Sequence, residues 1–421
     1  MKKVIIIIGG GISGLCSAYY LVKEGFEVSV IDEGEISKGA SFVNAGYLTP
    51  SHFVPLAEPG MLGKGLKWML KSSSPFYVKP RFDLEFFKWS YHFIQSATSD
   101  KVEKARPVLL EINLKSRDLF DEMFAAVDFD FHYEKKGLLM AFKNAESEEH
   151  ELKLAERAAI EGLEVTSIAK KDLHKVEPLF SDNVIGAVHY QCDAHTTPEQ
   201  FMKNLKNWLK KNGVNFILNE KVENIKTQNN RVTAVETKKG IYEADEFVLA
   251  AGTWTSSLAK SLDINIPIQG GKGYCINVLG ETGIRIPAIL VEGKVAVTPM
   301  VGFTRFAGTM EFSGNNTLIR KPRVLAIANS AESYYKNLKI SEEDRAAAVS
   351  GLRPVSPDGL PFIGRASGYK NLTVAAGHSM MGWSLGPITG KLISDIISER
   401  NTSVNLDPFK VERFRLKYFP F

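Results

Sequence analysis

The stretch "VIIIIGGGISGLCSAYYLVKEGFEVSVIDEG", Val4 to Gly34, decides the fold. Five apolar residues run straight into three glycines, the pattern of a short parallel strand buried on both faces. Gly9, Gly11 and Gly14 stand at G-x-G-x-x-G spacing. The first permits a tight turn, the second lets a pyrophosphate approach the backbone, and the third lets helix and strand pack closely. Ile12 and Ser13 fall between them, and Leu15 to Lys23 can form a helix whose leading amide groups and dipole favour an anion. Gly25 ends that helix, and "EVSVID" (Glu27 to Asp32) alternates as the next strand. Asp32, followed by Glu33, lies 18 residues after Gly14, where an acid can accept hydrogen bonds from both hydroxyls of a ribose. Strand, turn, helix and acid in this order predict a dinucleotide site.

The bulk properties narrow the class. At 421 residues the chain is long enough for two sizeable domains, and 44% apolar with 24% charged residues is ordinary for a globular enzyme. The net charge of +4 is spread thinly, with no Lys/Arg block of the kind that tracks a nucleic acid. Cys16, Cys192 and Cys275 lie far apart, which gives no zinc or dithiol spacing and suits a reducing cytosol; no metal is expected. The apolar run at Val4–Ile8 is too short for a signal peptide or a membrane span, so a cytoplasmic protein is expected.

The glycine motif does not choose between FAD and NAD, but later segments do. "KGASFVNAGYLTP" (Lys38 to Pro50) resembles the corresponding stretch of the D-amino-acid oxidase and glycine oxidase superfamily, and is most similar to its small-subunit-type D-amino-acid dehydrogenases. "EADEFVLAAGTWTSSL" (Glu243 to Leu258), "GLRPVSPDGLPFIG" (Gly351 to Gly364) and "LTVAAGHSMMGWSLGPITGKLISDII" (Leu372 to Ile397) follow in that family's order, so the resemblance spans nearly the whole chain. It implies FAD as cofactor. Ser41, Asn44, Ala45 and Gly46 would lie along the pyrophosphate and isoalloxazine, and Val222 would meet the adenine through its backbone. Ala251 and Gly252 would close the FAD domain. Gly377, His378, Met381 and Gly382 would approach the ring, with the C-terminal helix opening directly from them and aiming its N-terminus at the flavin.

The expected architecture is α/β: a doubly wound, Rossmann-like FAD-binding domain and an α+β substrate domain on a mostly antiparallel sheet. Residues 1–60, 195–262 and 344–421 would form the first domain, and 61–194 with 263–343 the second. Short alternating segments such as "KKGLLMAF", "KGYCINVLG" and "GFTRFAGTMEF" supply the second sheet.

The resemblance implies oxidative deamination of D-amino acids to 2-oxo acids and ammonia, by hydride transfer to flavin. A dehydrogenase of a cyclic D-imino acid (D-proline or a hydroxy-D-proline) and a glycine- or sarcosine-type oxidase stand as alternatives, and from another class a subunit whose flavin is structural. Arg353 occupies the position of the family's substrate-carboxylate arginine, a role for which a planar fork is suited. Tyr274 would bind the carboxylate or wall the pocket, and His52 would reach the substrate amine or a water. His195 reads as structural, and Arg305 as a paired or solvent-facing strand arginine. "GHSMMGW" offers Met380 and Met381 where glycine oxidases carry an arginine, which suggests a more apolar pocket. Pro354 follows Arg353 where sarcosine oxidases place a flavin-linking cysteine, so the FAD is expected to be non-covalent. The resembling dehydrogenases pass electrons to a quinone or another respiratory-chain acceptor. The basic, aromatic stretch Met61 to Phe93, with Leu62, Leu66 and Met69 on one helical face and Lys64, Lys67 and Lys71 on another, beside Trp68, has the makings of a peripheral contact with the inner membrane face; a helix packed on the substrate domain is the plainer reading.

Overall fold

The computed structural model describes residues 2–58, 74–126 and 128–414. Val4–Ile8 lies inside a six-stranded sheet in the order Asn215–Ile217, Glu27–Ile31, Val4–Ile8, Glu246–Leu249, Leu372–Ala376, Phe362–Arg365. The first five strands are parallel and the last is antiparallel. Because side chains alternate along a strand, Ile5 and Ile7 pack with the helices Ile12–Lys23, Pro198–Lys211 and Gly386–Ile397, through Leu15, Phe201 and Ile388 among others. Ile6 and Ile8 pack with Val222, Ile225 and Val235 of a three-stranded antiparallel sheet, Val222–Gln228, Arg231–Thr237 and Ile241–Glu243. The Rossmann-like portion is therefore three-layered, with a β-meander where a second helical layer would otherwise lie.

Gly14 sets the spacing of the first two elements. A Cβ built there would stand 1.9 Å from the carbonyl oxygen of Gly9, so only glycine lets the helix come this close to the strand end. The helix begins at Ile12, one turn before the sequence reading places it.

The second large sheet runs Val349–Val355, Gln269–Leu279, Phe303–Phe312, Val295–Met300, Ala288–Leu290, Leu138–Phe142, Gly186–Tyr190, Val165–Ala169, with Phe76–Val78 pairing to Phe303–Phe312. It is antiparallel except where Ala288–Leu290 meets Leu138–Phe142 and where Phe76–Val78 joins. Val349–Val355 carries Arg353 and adds to this sheet, although the sequence reading assigns it to the FAD-binding portion. A small sheet orders Tyr47–Leu48, Ala194–Thr196 and Tyr133–Glu134, its first strand directly following the 41–46 loop in the chain.

The C-terminal helix corrects one expectation. It spans Gly386–Ile397 and is separated from His378 by a turn that includes Ser379 at φ +53°. The Ile388 N–H at its head donates to Ser116 Oγ at 3.4 Å, and Gly382, Trp383 and Ser384, just before it, line the central cavity. The amphipathic segment at Leu62–Lys71 lies outside the described residues. Within them, no helix is long and apolar enough to cross a membrane.

Candidate active site

One cavity of about 1620 Å³ joins the glycine turn to the large sheet. Pockets for a small ligand are typically about 300–1,000 Å³, so this one has room for a dinucleotide and a second small molecule. Gly9, Gly11, Ile12, Ser13, Asp32, Glu33, Ser41, Asn44, Ala45, Val222, Ala251, Gly252, His378, Met381 and Gly382 line it, together with Arg353, Tyr274 and His52. Gly14, Gly46 and Gly377 do not; they shape the backbone behind its wall. The three cysteines are also absent from the lining.

The N-cap residue of helix Ile12–Lys23 is Gly11, which has no side chain to cap it, so beyond Ile12 its leading N–H groups are open to an anion. Ile12 N–H donates to Ser41 Oγ at 3.0 Å, tying the 41–46 loop to that helix head. Asp32 is held in place by the N–H groups of Gly10, at 2.7 Å, and Gly34, at 2.8 Å.

The 41–46 loop is braced from the large sheet by a residue whose role the sequence reading left open. Arg305, fully buried, donates to the carbonyls of Phe42 (2.9 Å) and Asn44 (2.7 Å), to Asn277 Oδ1 (2.9 Å) and to Glu199. Thr298 Oγ1 donates to the Ala45 carbonyl at 2.7 Å, and Thr196 N–H to that of Gly46 at 2.8 Å. Each turn of the loop is thus fixed by a donor from outside it.

Arg353 faces the same cavity. Its Nη1 donates to the Thr309 carbonyl at 3.0 Å, and among the described residues no carboxylate pairs with it. Burial pulls its pKa below the usual guanidinium value, yet guanidinium stays charged in proteins. A half-buried fork with one carbonyl and no acidic partner is open to an incoming anion. Gly273, across from Gly351 in the ladder, gives the fork its space: a Cβ there would lie 2.1 Å from Arg353 Nη1. We therefore expect Gly273→Ala to raise the Michaelis constant for a carboxylate substrate about tenfold or more, the effect of about 1.4 kcal/mol of lost contact, with flavin content unchanged; steady-state kinetics beside the visible flavin absorbance of the purified protein tests it.

Three other side chains of the cavity wall are held by partners of their own. Tyr274 is buried and its hydroxyl donates to Glu311 Oε2 at 2.7 Å, so its ring walls the cavity while its oxygen is engaged elsewhere. His378 Nε2 meets Thr389 Oγ1 at 2.9 Å; because that hydroxyl donates to the Leu385 carbonyl, the imidazole must be the donor to it. Burial pushes His378 down to about 4, so it is neutral at pH 7. His52 is likewise pushed down to about 4, chiefly by burial with Lys294 adding, and its Nδ1 lies 3.0 Å from Ser51 Oγ. Behind it Ser51 donates through both N–H and Oγ to Asp193, whose carboxyl burial raises to about 7. Asp193 escaped the sequence reading because nothing in its local pattern marks it. His195 is fully buried, pairs opposite Tyr47, and is held neutral by burial.

The strand bearing Arg353 also touches the turn after Gly377: Ser379 N–H donates to the Pro354 carbonyl at 2.8 Å, and Val355 bridges His378.

Comparison with known proteins gives the family and the fold. The chain is 30% identical over 420 residues to a D-amino acid dehydrogenase of Neisseria gonorrhoeae, covering 98% of this chain and 99% of the relative. Its fold matches the crystal structure of glycine oxidase from Geobacillus kaustophilus with a TM-score of 0.77 at 20% identity, covering 98% and 100% of the two chains. It matches L-proline dehydrogenase from P. horikoshii with a TM-score of 0.74 at 19% identity, covering 98% of each. The profile of the family described as FAD dependent oxidoreductase matches residues 5–396, and the chain belongs to that family.

Proposed function

We propose that this protein oxidatively deaminates D-amino acids to 2-oxo acids and ammonia. The observation that carries the reading is Arg353: a half-buried guanidinium without an acidic partner, in the same cavity as the glycine turn. A substrate carboxylate is the natural counter-ion, since it can take two parallel charge-assisted hydrogen bonds from the fork. The relative from Neisseria gonorrhoeae bears the matching name.

The residues fit FAD. Gly9, Gly11, Ile12 and Ser13 would hold the pyrophosphate on the uncapped helix head, Asp32 and Glu33 the ribose, and Val222 the adenine. Ser41, Asn44, Ala45, Ala251, Gly252, His378, Met381 and Gly382 would surround the rest of the cofactor. When bound, FAD supplies the hydride acceptor. No cysteine lines the cavity, which supports non-covalent attachment. Arg353 orients the substrate, so that binding is converted to alignment of the α-carbon. Tyr274, Met380 and Met381 present apolar surface to its side chain. Neutral His52, backed by Ser51 and Asp193, is placed to hydrogen-bond the substrate amine or a water beside it.

Anaerobic mixing of the yellow protein with a panel of D- and L-amino acids, D-proline, hydroxy-D-proline, glycine and sarcosine tests the proposal. D-amino acids should bleach the flavin fastest. Preference for the cyclic imino acids, or for glycine and sarcosine with rapid reoxidation in air, would transfer the assignment to those substrates; no bleaching with any amine would remove it.

Electrons would then leave through a quinone or another respiratory-chain acceptor at the inner membrane face. In support, the helix Leu84–Ser96 and the residues before it expose Phe82, Leu84, Phe87 and Ile94, close in sequence to the lysines at 64–71. Cosedimentation with anionic vesicles should fall on Phe87→Ser with Ile94→Ser; unchanged sedimentation would refute the contact.

A further inference from the structure

We propose that His132, Glu134 and His195 form a binding site for a zinc-class divalent cation that fastens the small sheet beside the 41–46 loop. The inference does not depend on the identity of the substrate. They come from two separated parts of the chain, His132 and Glu134 from one and His195 from the other, brought together by strand pairing: Tyr133 lies opposite Thr196, and Glu134 opposite His195. Each offers one ligand atom, and these atoms lie within 4.8 Å of one another. His195 Nε2 is 3.4 Å from Glu134 Oε2, and His132 Nε2 is 3.8 Å from Glu134 Oε1. Tetrahedral coordination at zinc–nitrogen and zinc–oxygen distances near 2.0–2.1 Å puts neighbouring ligand atoms about 3.3 Å apart, so side-chain rotation of an ångström or so closes the set.

The independent observation is His195. Its side chain is fully buried; the Pro299 backbone lies against the ring, while Nε2, 3.4 Å from Glu134 Oε2, makes no hydrogen bond. A buried polar group without a partner is disfavoured, and a neutral imidazole next to a carboxylate and a second imidazole has a lone pair suited to a metal. His132 is prepared from its other side: Nδ1 lies 2.9 Å from Thr197 Oγ1, which also accepts the Val301 N–H at 3.1 Å. That partner fixes the ring and leaves Nε2 for coordination, the usual arrangement of a metal-bound histidine. Glu134, partly exposed, supplies an entry path and room for a water as fourth ligand. The Lys136 ammonium, 2.8 Å from Glu134 Oε2 and itself exposed, would turn outward on binding.

Two nitrogens and one carboxylate oxygen favour zinc over magnesium or calcium. The ion's service is structural: Tyr47 pairs with His195 in the same sheet, one residue after Gly46, whose carbonyl is bound by Thr196.

The test uses the FAD-loaded protein, stripped with a chelator, dialysed against zinc chloride and assayed by elemental analysis, with cobalt(II) as spectroscopic probe. One zinc per chain is expected, together with the intense visible bands of tetrahedral cobalt and a higher Tm with zinc. Glu134→Gln and His132→Gln should keep FAD and lose stoichiometric metal, the cobalt bands and the Tm rise. Thr197→Val should weaken zinc binding about 10–100-fold. Substoichiometric zinc in the native protein, or equal binding by both variants, would overturn the site. Should His132→Gln fail to fold, Glu134→Gln, at an exposed position, decides alone.

Discussion

Arg353→Met is expected to raise the Michaelis constant for D-alanine by roughly 100-fold or more while FAD stays bound and Tm holds or rises. Truncating one partner of an enclosed charge pair costs about 3–5 kcal/mol, which corresponds to about 10²–10³ in affinity at 1.4 kcal/mol per decade. The stability part follows from the resting site. There Arg353 has the Thr309 carbonyl and no acidic partner among the described residues, so removing its charge relieves desolvation without stranding an anion. Arg353→Lys keeps the charge but loses the fork, and should fall between native and Met variants. Michaelis constant, flavin absorbance and thermal melting separate the cases. An unchanged Michaelis constant would sink the clamp, and a large fall in Tm would mark Arg353 as structural.

Arg305→Leu should have the opposite profile. Its guanidinium holds two carbonyls of the 41–46 loop, Asn277 and Glu199. Leucine leaves the carbonyls without donors and Glu199 without its cation, a loss of about 3–5 kcal/mol for a broken buried network. Part of that falls on global stability, seen as a lower Tm. Part falls on the loop, and FAD affinity measured by fluorescence titration should drop about 100-fold, the equivalent of roughly 2.7 kcal/mol. Arg305→Lys restores one donor and should recover part of each. Native FAD affinity in the leucine variant would show that the loop holds its shape without this brace.

What could be read from the sequence was whatever local chemistry enforces. The turn at Gly9–Gly14 is legible because its steric need is met within six residues, and the strands of the second sheet because alternation betrays them. Arg353 was found by family resemblance, and its place in the cavity agrees. Long-range pairing hid the rest. Nothing near Tyr274 indicates that its hydroxyl goes to Glu311, 37 positions away, and nothing near Arg305 reveals the 263 positions to Phe42. The late start of the last helix was missed because Ser379 adopts a left-handed conformation more often given to glycine or asparagine. His132, Glu134 and His195 have no ligand-like spacing, since strand pairing alone unites them.

The ladder carrying Arg353 continues into the backbone contacts of Pro354 and Val355 with Ser379 and His378. The strand of Arg353 and the turn after His378 thus form one hydrogen-bonded frame. If Arg353 holds the substrate carboxylate, its distance from that turn is fixed by backbone, and resizing Met380 or Met381 should change side-chain preference while that distance stays constant.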